Sequence, residues 1–498
     1  MENIIFGIIT IGVSGLAYFF SWKQYQRNNF NVAILLIILG GFLLYFYTAT
    51  DFFLHVWDER YHALVAKNLI KHPFLPTLYD NPILPFDYKM WVGNHIWLHK
   101  QPLPLWLMAG SMSVFGVNEI ALRLPSIILS STGIFLTFKI GEYFFNKKTG
   151  ILASFLFSIN GLILELTGGR VATDHIDISF MFFILLAIFL TTVFIKKKSI
   201  LYTLLIGGSI GAAILTKWLT GLIVLPIWLL MVWDSNSFNM KILLGHFILL
   251  LLTITLVALP WQLYIFRVFP MEAAYESSFN MRHFTEVIEE RSGSFFYFIN
   301  QIRINYGELI YLPLIWFVLK LFKNPKEFKQ FAVLIWFMVP LIIFSFAKTK
   351  MQGYLLFTSS ALFIITSAFF FELLNYKVPK NLRWVSKLVL FLMILLPIRY
   401  SIERLKPFEK RERNPTWVLD LKELNKKHIQ NGVLFNYSNP IEAMFYTELV
   451  TYSTLPSKDI VEQLLNEGYQ IIINDNDDIE HLKKIKGVKT IRLTTSKN

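Results

Sequence analysis

The sequence has no cysteine in its 498 residues. That removes disulfides, thiolate nucleophiles and thiolate-held metal or iron–sulfur centres from consideration. It is also poor in charge, since Asp, Glu, Lys and Arg together make 16%, where a soluble chain carries roughly 25%. No internal repeat and no low-complexity tract is present. The first residues, "MENIIFGIITIGVSGLAYFFSW", lack a basic leader and a small-residue cleavage site, so they are expected to stay as a membrane span. Five of the ten histidines fall between His55 and His99, yet none forms an HExxH or another strong metal spacing.

What is abundant is apolar. Hydrophobic residues make 54% of the chain, with 47 Phe, and they come in runs of about 17–25 residues, the length that crosses a bilayer as helix. The fold class expected is an all-α polytopic membrane protein of about twelve transmembrane helices with a small C-terminal α/β domain. The expected spans are 2–22, 31–50, 124–144, 149–167, 177–195, 200–215, 219–233, 242–266, 303–322, 330–347, 354–374 and 385–400. A formal charge of +13 does not point to nucleic acid, because the Lys and Arg residues sit in short loops between spans. The loops around Lys23 and Arg27, Lys147 and Lys148, Lys196 to Lys198, "FKNPKEFK" and "YKVPKNLRWVSK" all fall on one side of this layout. The positive-inside rule makes that side cytoplasmic and puts both termini outside. Localisation in the cell inner (plasma) membrane follows as the expectation.

Two long loops, 51–123 and 267–302, then lie outside. Within the first, "PLPLWLMAGSMSVFG" (Pro102 to Gly116) is too short to cross and is expected to lie in the interface. From residue 405 to 498 charge rises, and β-rich runs ("NGVLFNY", "YQIIIND", "VKTIRL") alternate with helical ones, which suggests a soluble extracytoplasmic α/β domain following a membrane domain of residues 1–404.

With this topology the ionisable residues that are costly near a bilayer collect on the outer side. Asp58 and Glu59 directly follow the second span, and "LTGGRVATDHIDISF" contributes Arg170, Asp174, His175 and Asp177. Lys217 and the pair Lys348 and Lys350 occupy outer turns, and Lys100 precedes the interfacial helix. Each has a plainer reading. Asp58 and Asp174 suit helix N-termini, Lys348 and Lys350 could snorkel to headgroups, and His62, four residues after Asp58, could belong to a metal pair. Their coincidence on one face instead suggests a site that handles an anion and a nucleophile together.

"WDERYHALVAKNL", "HKQPLPLWLMAGSMSVFGVNEIALRLPS", "GGRVATDHIDISF", "AAILTKWLTGL" and "FSFAKTKMQGYLLF" occur in the order of motifs in the GT-C membrane glycosyltransferases. The sequence resembles the protein O-mannosyltransferase and lipid A aminoarabinose transferase superfamily over roughly residues 50–360. The resemblance implies a polyprenyl-phosphate sugar donor, a lipid, glycan or protein acceptor, and a site at the extracytoplasmic face of the cell envelope. It puts the catalytic base at Asp58 and the second outer acid at Asp174. It puts donor-phosphate contacts at Lys100, Lys348, Lys350 and Tyr354, and Glu59, His62, Arg170 and Lys217 join the substrate-binding candidates. The chain departs from the pattern at Gln101 and Gln352, where proline is usual, and at Tyr61, where an arginine often stands. Cations that neutralise a departing lipid phosphate lower the barrier, and a carboxylate that takes the acceptor's proton makes its hydroxyl a nucleophile. Direct attack of that kind would invert the anomeric centre. No cofactor is required, and a divalent cation is compatible with the scheme. The rival readings are a membrane oligosaccharide ligase or polymerase and a transporter or flippase of lipid-linked sugars. The second would place charges near mid-membrane in two matching halves.

Overall fold

The computed structural model describes residues 3–235, 239–324, 327–476 and 479–495. It divides into two compact units. The first comprises residues 1–49, 100–104 and 123–410, and the second 50–99, 105–122 and 411–498. The division differs from the boundary expected at 404/405, because most of the first long loop groups with the C-terminal segment.

The first unit is a helical membrane bundle. By length and apolarity nine helices among the described residues can cross a bilayer, or up to eleven if each of two bent pairs is one span. This agrees with the expected polytopic fold of about twelve helices, and the departures from single straight spans are local. The expected spans 200–215 and 219–233 are helices Ile200–Lys217 and Val224–Asp234, joined by the 3-10 turn Trp218–Ile223. A Cβ built on Gly221 would meet Ala213 Cβ at 3.0 Å and the Ile210 carbonyl at 3.3 Å, so the chain turns back on its own helix there. The expected span 149–167 is Lys147–Ser158 and Gly161–Thr167, bent by 54°. Asn160 caps the second piece, accepting from the Ile163 N–H at 3.1 Å and donating to the Asn305 carbonyl at 2.7 Å. The expected span 303–322 breaks by 117° between Tyr297–Tyr306 and Glu308–Lys323. Gly307 sits in that break with φ +99°, a conformation that costs glycine nothing and other residues a good deal.

Small residues let the helices meet. A Cβ on Gly141 would lie 2.8 Å from the Gly150 Cα, so Glu119–Phe144 and Lys147–Ser158 cross almost backbone to backbone, as membrane helices do where nothing larger intervenes. Asn3–Gln26 and Phe30–Ala49 form a hairpin in which Gly40 faces the Tyr18 ring and Ser21 donates to the Ala33 carbonyl at 2.8 Å. Glu2 of the first expected span, and Pro325 and Lys326 of the basic loop "FKNPKEFK", lie outside the described residues.

The second unit carries a parallel sheet of four strands, β1 Gly432–Phe435, β2 Val450–Thr451, β3 Gln470–Asn474 and β4 Lys489–Ile491, in the order β2-β1-β3-β4. Val433 pairs with Ile471 and Phe435 with Ile473. Both central strands are buried, which is why they read as unbroken apolar runs and not as alternating ones. Helix Asp58–Lys71 belongs to this unit. Lys67 sends its ammonium to the carbonyls of Met444 (2.8 Å), Phe445 (3.2 Å) and Thr447 (2.7 Å), the unpaired end of helix Pro440–Tyr446. Tyr79 donates to the Thr451 carbonyl at 3.0 Å. The Tyr452 hydroxyl accepts from the Ile83 and Leu84 N–H groups.

Candidate active site

In the first unit the functional side chains are positioned by a strained connector. After helix Gly161–Thr167 the chain passes Gly169 at φ +73°, Thr173 at φ +68° and Asp174 at φ +23° before helix Asp174–Lys197 begins. A left-handed β-branched residue costs on the order of 1–3 kcal/mol and persists only where its surroundings hold it. Thr173 is held twice: its hydroxyl donates to the Asp177 carboxylate, and its carbonyl accepts the Asp177 N–H at 3.2 Å.

Asp177 is the centre of the arrangement. It is buried, and its second oxygen pairs with the Lys217 ammonium. Lys217 ends helix Ile200–Lys217, and its ammonium lies over the Tyr354 ring, 5.2 Å from the centroid. Gly353 passes so close that a Cβ there would collide with the Asp177 carboxylate and approach the Thr173 hydroxyl to 2.9 Å. Only glycine fits between them. Tyr354 is fixed from its other side by Phe344, with centroids 5.2 Å apart.

Lys100 adds a second cation, acting electrostatically on Asp177, Glu276 and His283. Its neighbour Gln101 is buried, and its side-chain oxygen accepts from Gln262 at 2.8 Å. Glu276 and His283 lie on helix Pro270–Thr285. Burial pushes the Glu276 carboxyl up to about 7, against the opposing pull of Lys100, His283 and Arg282. Burial lowers His283, and the positive charges of Lys100 and Lys217 lower it further.

The expected site residues therefore separate. Lys100, Lys217 and Tyr354 gather around a carboxylate, and that carboxylate is Asp177. Asp174, one turn earlier, accepts the N–H of His175, whose Nδ1 lies 2.8 Å from the Ser126 hydroxyl. Arg170 donates to the Leu405 carbonyl at 3.2 Å, at the end of helix Arg383–Leu405, and lies 5.9 Å from the Tyr47 ring centroid. Lys350 donates to the carbonyls of Phe344 (3.0 Å) and Ser345 (2.6 Å), capping the end of helix Phe328–Phe346. Burial lowers its pKa, and Lys348 adds to the effect. Lys348 itself is exposed, and its N–H bonds the Phe284 carbonyl at 3.2 Å.

In the second unit the acid pair divides. Asp58 opens helix Asp58–Lys71 and is half-buried, while Trp57 occupies the cap position with no side-chain capping bond. Glu59 is fully buried and accepts the His55 N–H at 2.8 Å. His62 is also buried, with its ring edge against Trp97, centroids 5.8 Å apart. Among the described residues no group of three or more His, Asp or Glu side chains is placed to hold a metal ion. Sequence reasoning did not single out Asp51. It is buried and pairs with Arg411 at 2.7 Å and Arg413 at 3.4 Å, a tie between residues 360 positions apart that no local pattern announces.

Residues 99–261 match the dolichyl-phosphate-mannose-protein mannosyltransferase family. An uncharacterized protein of Aquifex aeolicus is 27% identical over 372 residues, covering 73% of this chain and 68% of that one. An undecaprenyl phosphate-alpha-4-amino-4-deoxy-L-arabinose arabinosyl transferase of Pseudomonas paraeruginosa is 24% identical over 53% of this chain, and the match spans 49% of its own length. Among solved structures, ArnT from Cupriavidus metallidurans bound to undecaprenyl phosphate superposes with a TM-score of 0.62 at 14% identity, covering 87% of this chain and 88% of that one. The archaeal oligosaccharyltransferase AglB from Archaeoglobus fulgidus does so at 0.51 and 13%, covering 84% and 64%.

Proposed function

We propose that this chain, which has the GT-C fold and is related to the mannosyl- and aminoarabinosyltransferases, moves a sugar from a polyprenyl-phosphate donor to an acceptor at the extracytoplasmic face of the inner membrane. The observation that carries the proposal is the buried Asp177–Lys217 pair beneath Tyr354, with Lys100 acting on the same carboxylate. A buried carboxylate that holds a lysine by its ammonium fixes where that charge sits. Fixed cations cost no reorganisation when a phosphate leaves.

In this reading the bond between the anomeric carbon and the phosphate oxygen breaks, and its electron pair departs with the lipid phosphate. Lys217 and Lys100 stabilise that charge. The acceptor oxygen forms the new bond from the opposite side and gives its proton to Asp58, the base assigned by the motif "WDERYH". The product has inverted configuration. Asp58 is half-buried on the first residue of its helix.

The test is transfer by the purified full chain from a panel of polyprenyl-phosphate monosaccharides, read by mass spectrometry alongside lipids, glycans and glycoproteins of cells with and without it. Transfer from an oligosaccharide donor alone would overturn the monosaccharide reading. Unchanged cell material together with no transfer from any donor would overturn the enzyme reading.

A further inference from the structure

We propose that the first unit holds one anionic glycerophospholipid in an apolar groove at its basic-loop end, separate from the Asp177–Lys217 cluster. The groove has a volume of about 720 Å³ and is walled by helices Asn3–Gln26, Lys147–Ser158, Ser359–Asn375 and Arg383–Leu405, with Ile37 from Phe30–Ala49. That size lies in the range of about 300–1,000 Å³ typical of small-molecule sites.

Two of the walls follow one pattern. Lys148, Ile151, Leu152 and Phe155 line the groove from one helix, and Lys387, Leu390, Phe391 and Ile394 from another. Both sets step as i, i+3, i+4 and i+7, which keeps them on a single helix face. Each face thus begins with an ammonium near a basic loop and runs on as hydrocarbon for two turns. Trp22 and Phe371 add to the apolar walls, and among the described residues no acidic side chain lines the groove. Neither Lys148 nor Lys387 has an ion-pair partner among the described residues. Two cations converging over an apolar slot, with no carboxylate to answer them, complement a phosphate headgroup with acyl chains beneath it.

The position argues against the polyprenyl-phosphate donor as occupant. Phe370 and Phe371 lie near the end of helix Ser359–Asn375, and Gly353 and Tyr354 precede its start, roughly 25 Å away at the rise of a helix. A phosphate held by Lys148 and Lys387 is out of reach of Lys217. The inference does not depend on the proposed sugar transfer.

The test is native mass spectrometry of the full chain after equilibration with equal phosphatidylglycerol, phosphatidylcholine and undecaprenyl phosphate. One phosphatidylglycerol should be retained in preference to phosphatidylcholine by about 30-fold, the scale set by two lysines at a membrane surface. Lys148→Gln/Lys387→Gln should abolish that preference, and both positions are exposed, so folding is not at stake. Ile394→Trp, which fills the groove without changing charge, should reduce retention of phosphatidylglycerol. Equal retention of the two phospholipids, undiminished preference in the double lysine variant, or selective loading of undecaprenyl phosphate at these lysines would each overturn the proposal.

Discussion

Lys217 offers the sharpest separation of chemistry from structure. Replacing it with methionine keeps the length of the side chain and removes the charge. Asp177, only 2% exposed, is then left without its ammonium. Breaking a buried ion pair from one side costs about 3–5 kcal/mol, because the remaining charge stays desolvated. The Lys217 side chain retains 22% exposure, and Thr173 still donates to the carboxylate, so the lower end, about 3 kcal/mol, is expected. Asp177→Asn/Lys217→Met removes both charges, and replacement of a whole buried pair by neutral groups is often close to neutral for stability. Most of the lost stability should therefore return in the double variant.

Transfer should not return with it. If the Lys217 ammonium stabilises the leaving phosphate, turnover falls by roughly 10²–10³-fold, the usual loss when one preorganised donor to a developing anion is removed. The double variant keeps that deficit. Thermal unfolding in detergent and single-turnover transfer, measured on the same preparations, give the two readings. Recovery of transfer together with stability in the double variant would refute the assignment and make Lys217 a structural counter-ion.

Asp58→Asn should lower turnover by roughly 10²–10⁴-fold with donor affinity little changed, and a folded variant with near-normal transfer would remove Asp58 from the mechanism. Lys350→Met should destabilise the fold by about 1–3 kcal/mol through two undonated carbonyls while leaving donor affinity intact, measured by unfolding and by donor titration. Glu276 has a folded pKa of about 7, raised from 4.5, so the native state binds the extra proton. Stability should then fall as pH rises from about 4.5 to 7, by at most ~3 kcal/mol. Glu276→Gln should flatten the melting temperature across that window, and an unchanged slope would show that another group titrates there. Cysteines introduced at Ser292 and at Asn324 should label oppositely with an impermeant thiol reagent in intact cells, Ser292→Cys reacting and Asn324→Cys not; the reverse would invert the topology.

Most of the membrane helices were legible because a bilayer forces continuous apolar runs and leaves few alternatives to helix. Where the outline failed, the cause was a single backbone event inside a run of uniform hydropathy. The cap at Asn160 and the positive φ of Gly307 do not alter composition, so a window average passes over them. The grouping of residues 50–99 with the C-terminal sheet was illegible for a different reason. It rests on pairings such as Asp51 with Arg411 and Tyr79 with Thr451, whose partners are more than 350 residues apart.

The candidate site shows the same limit at the scale of side chains. Position relative to a span singled out Lys100, Arg170, Lys217, Lys348 and Lys350 alike, since every one is a costly charge at a helix end. What distinguishes them is the acceptor each one finds. Lys350 meets carbonyls left over at a helix C-terminus, where a cation is favoured whatever the protein does. Lys217 meets a carboxylate. That carboxylate is Asp177 and not Asp174 because the left-handed turn at Thr173 and Asp174 starts the helix so that the later acid faces Lys217. Two aspartates three residues apart share a helix face only once the helix has begun, and here it begins at Asp174 itself. The acid pair after the second helix resolves by the same logic. Glu59 is drawn inward to the His55 N–H, and Asp58, on the first helical residue, keeps partial contact with solvent. A sequence marks where charge is expensive, and the backbone decides which charges are spent on the fold.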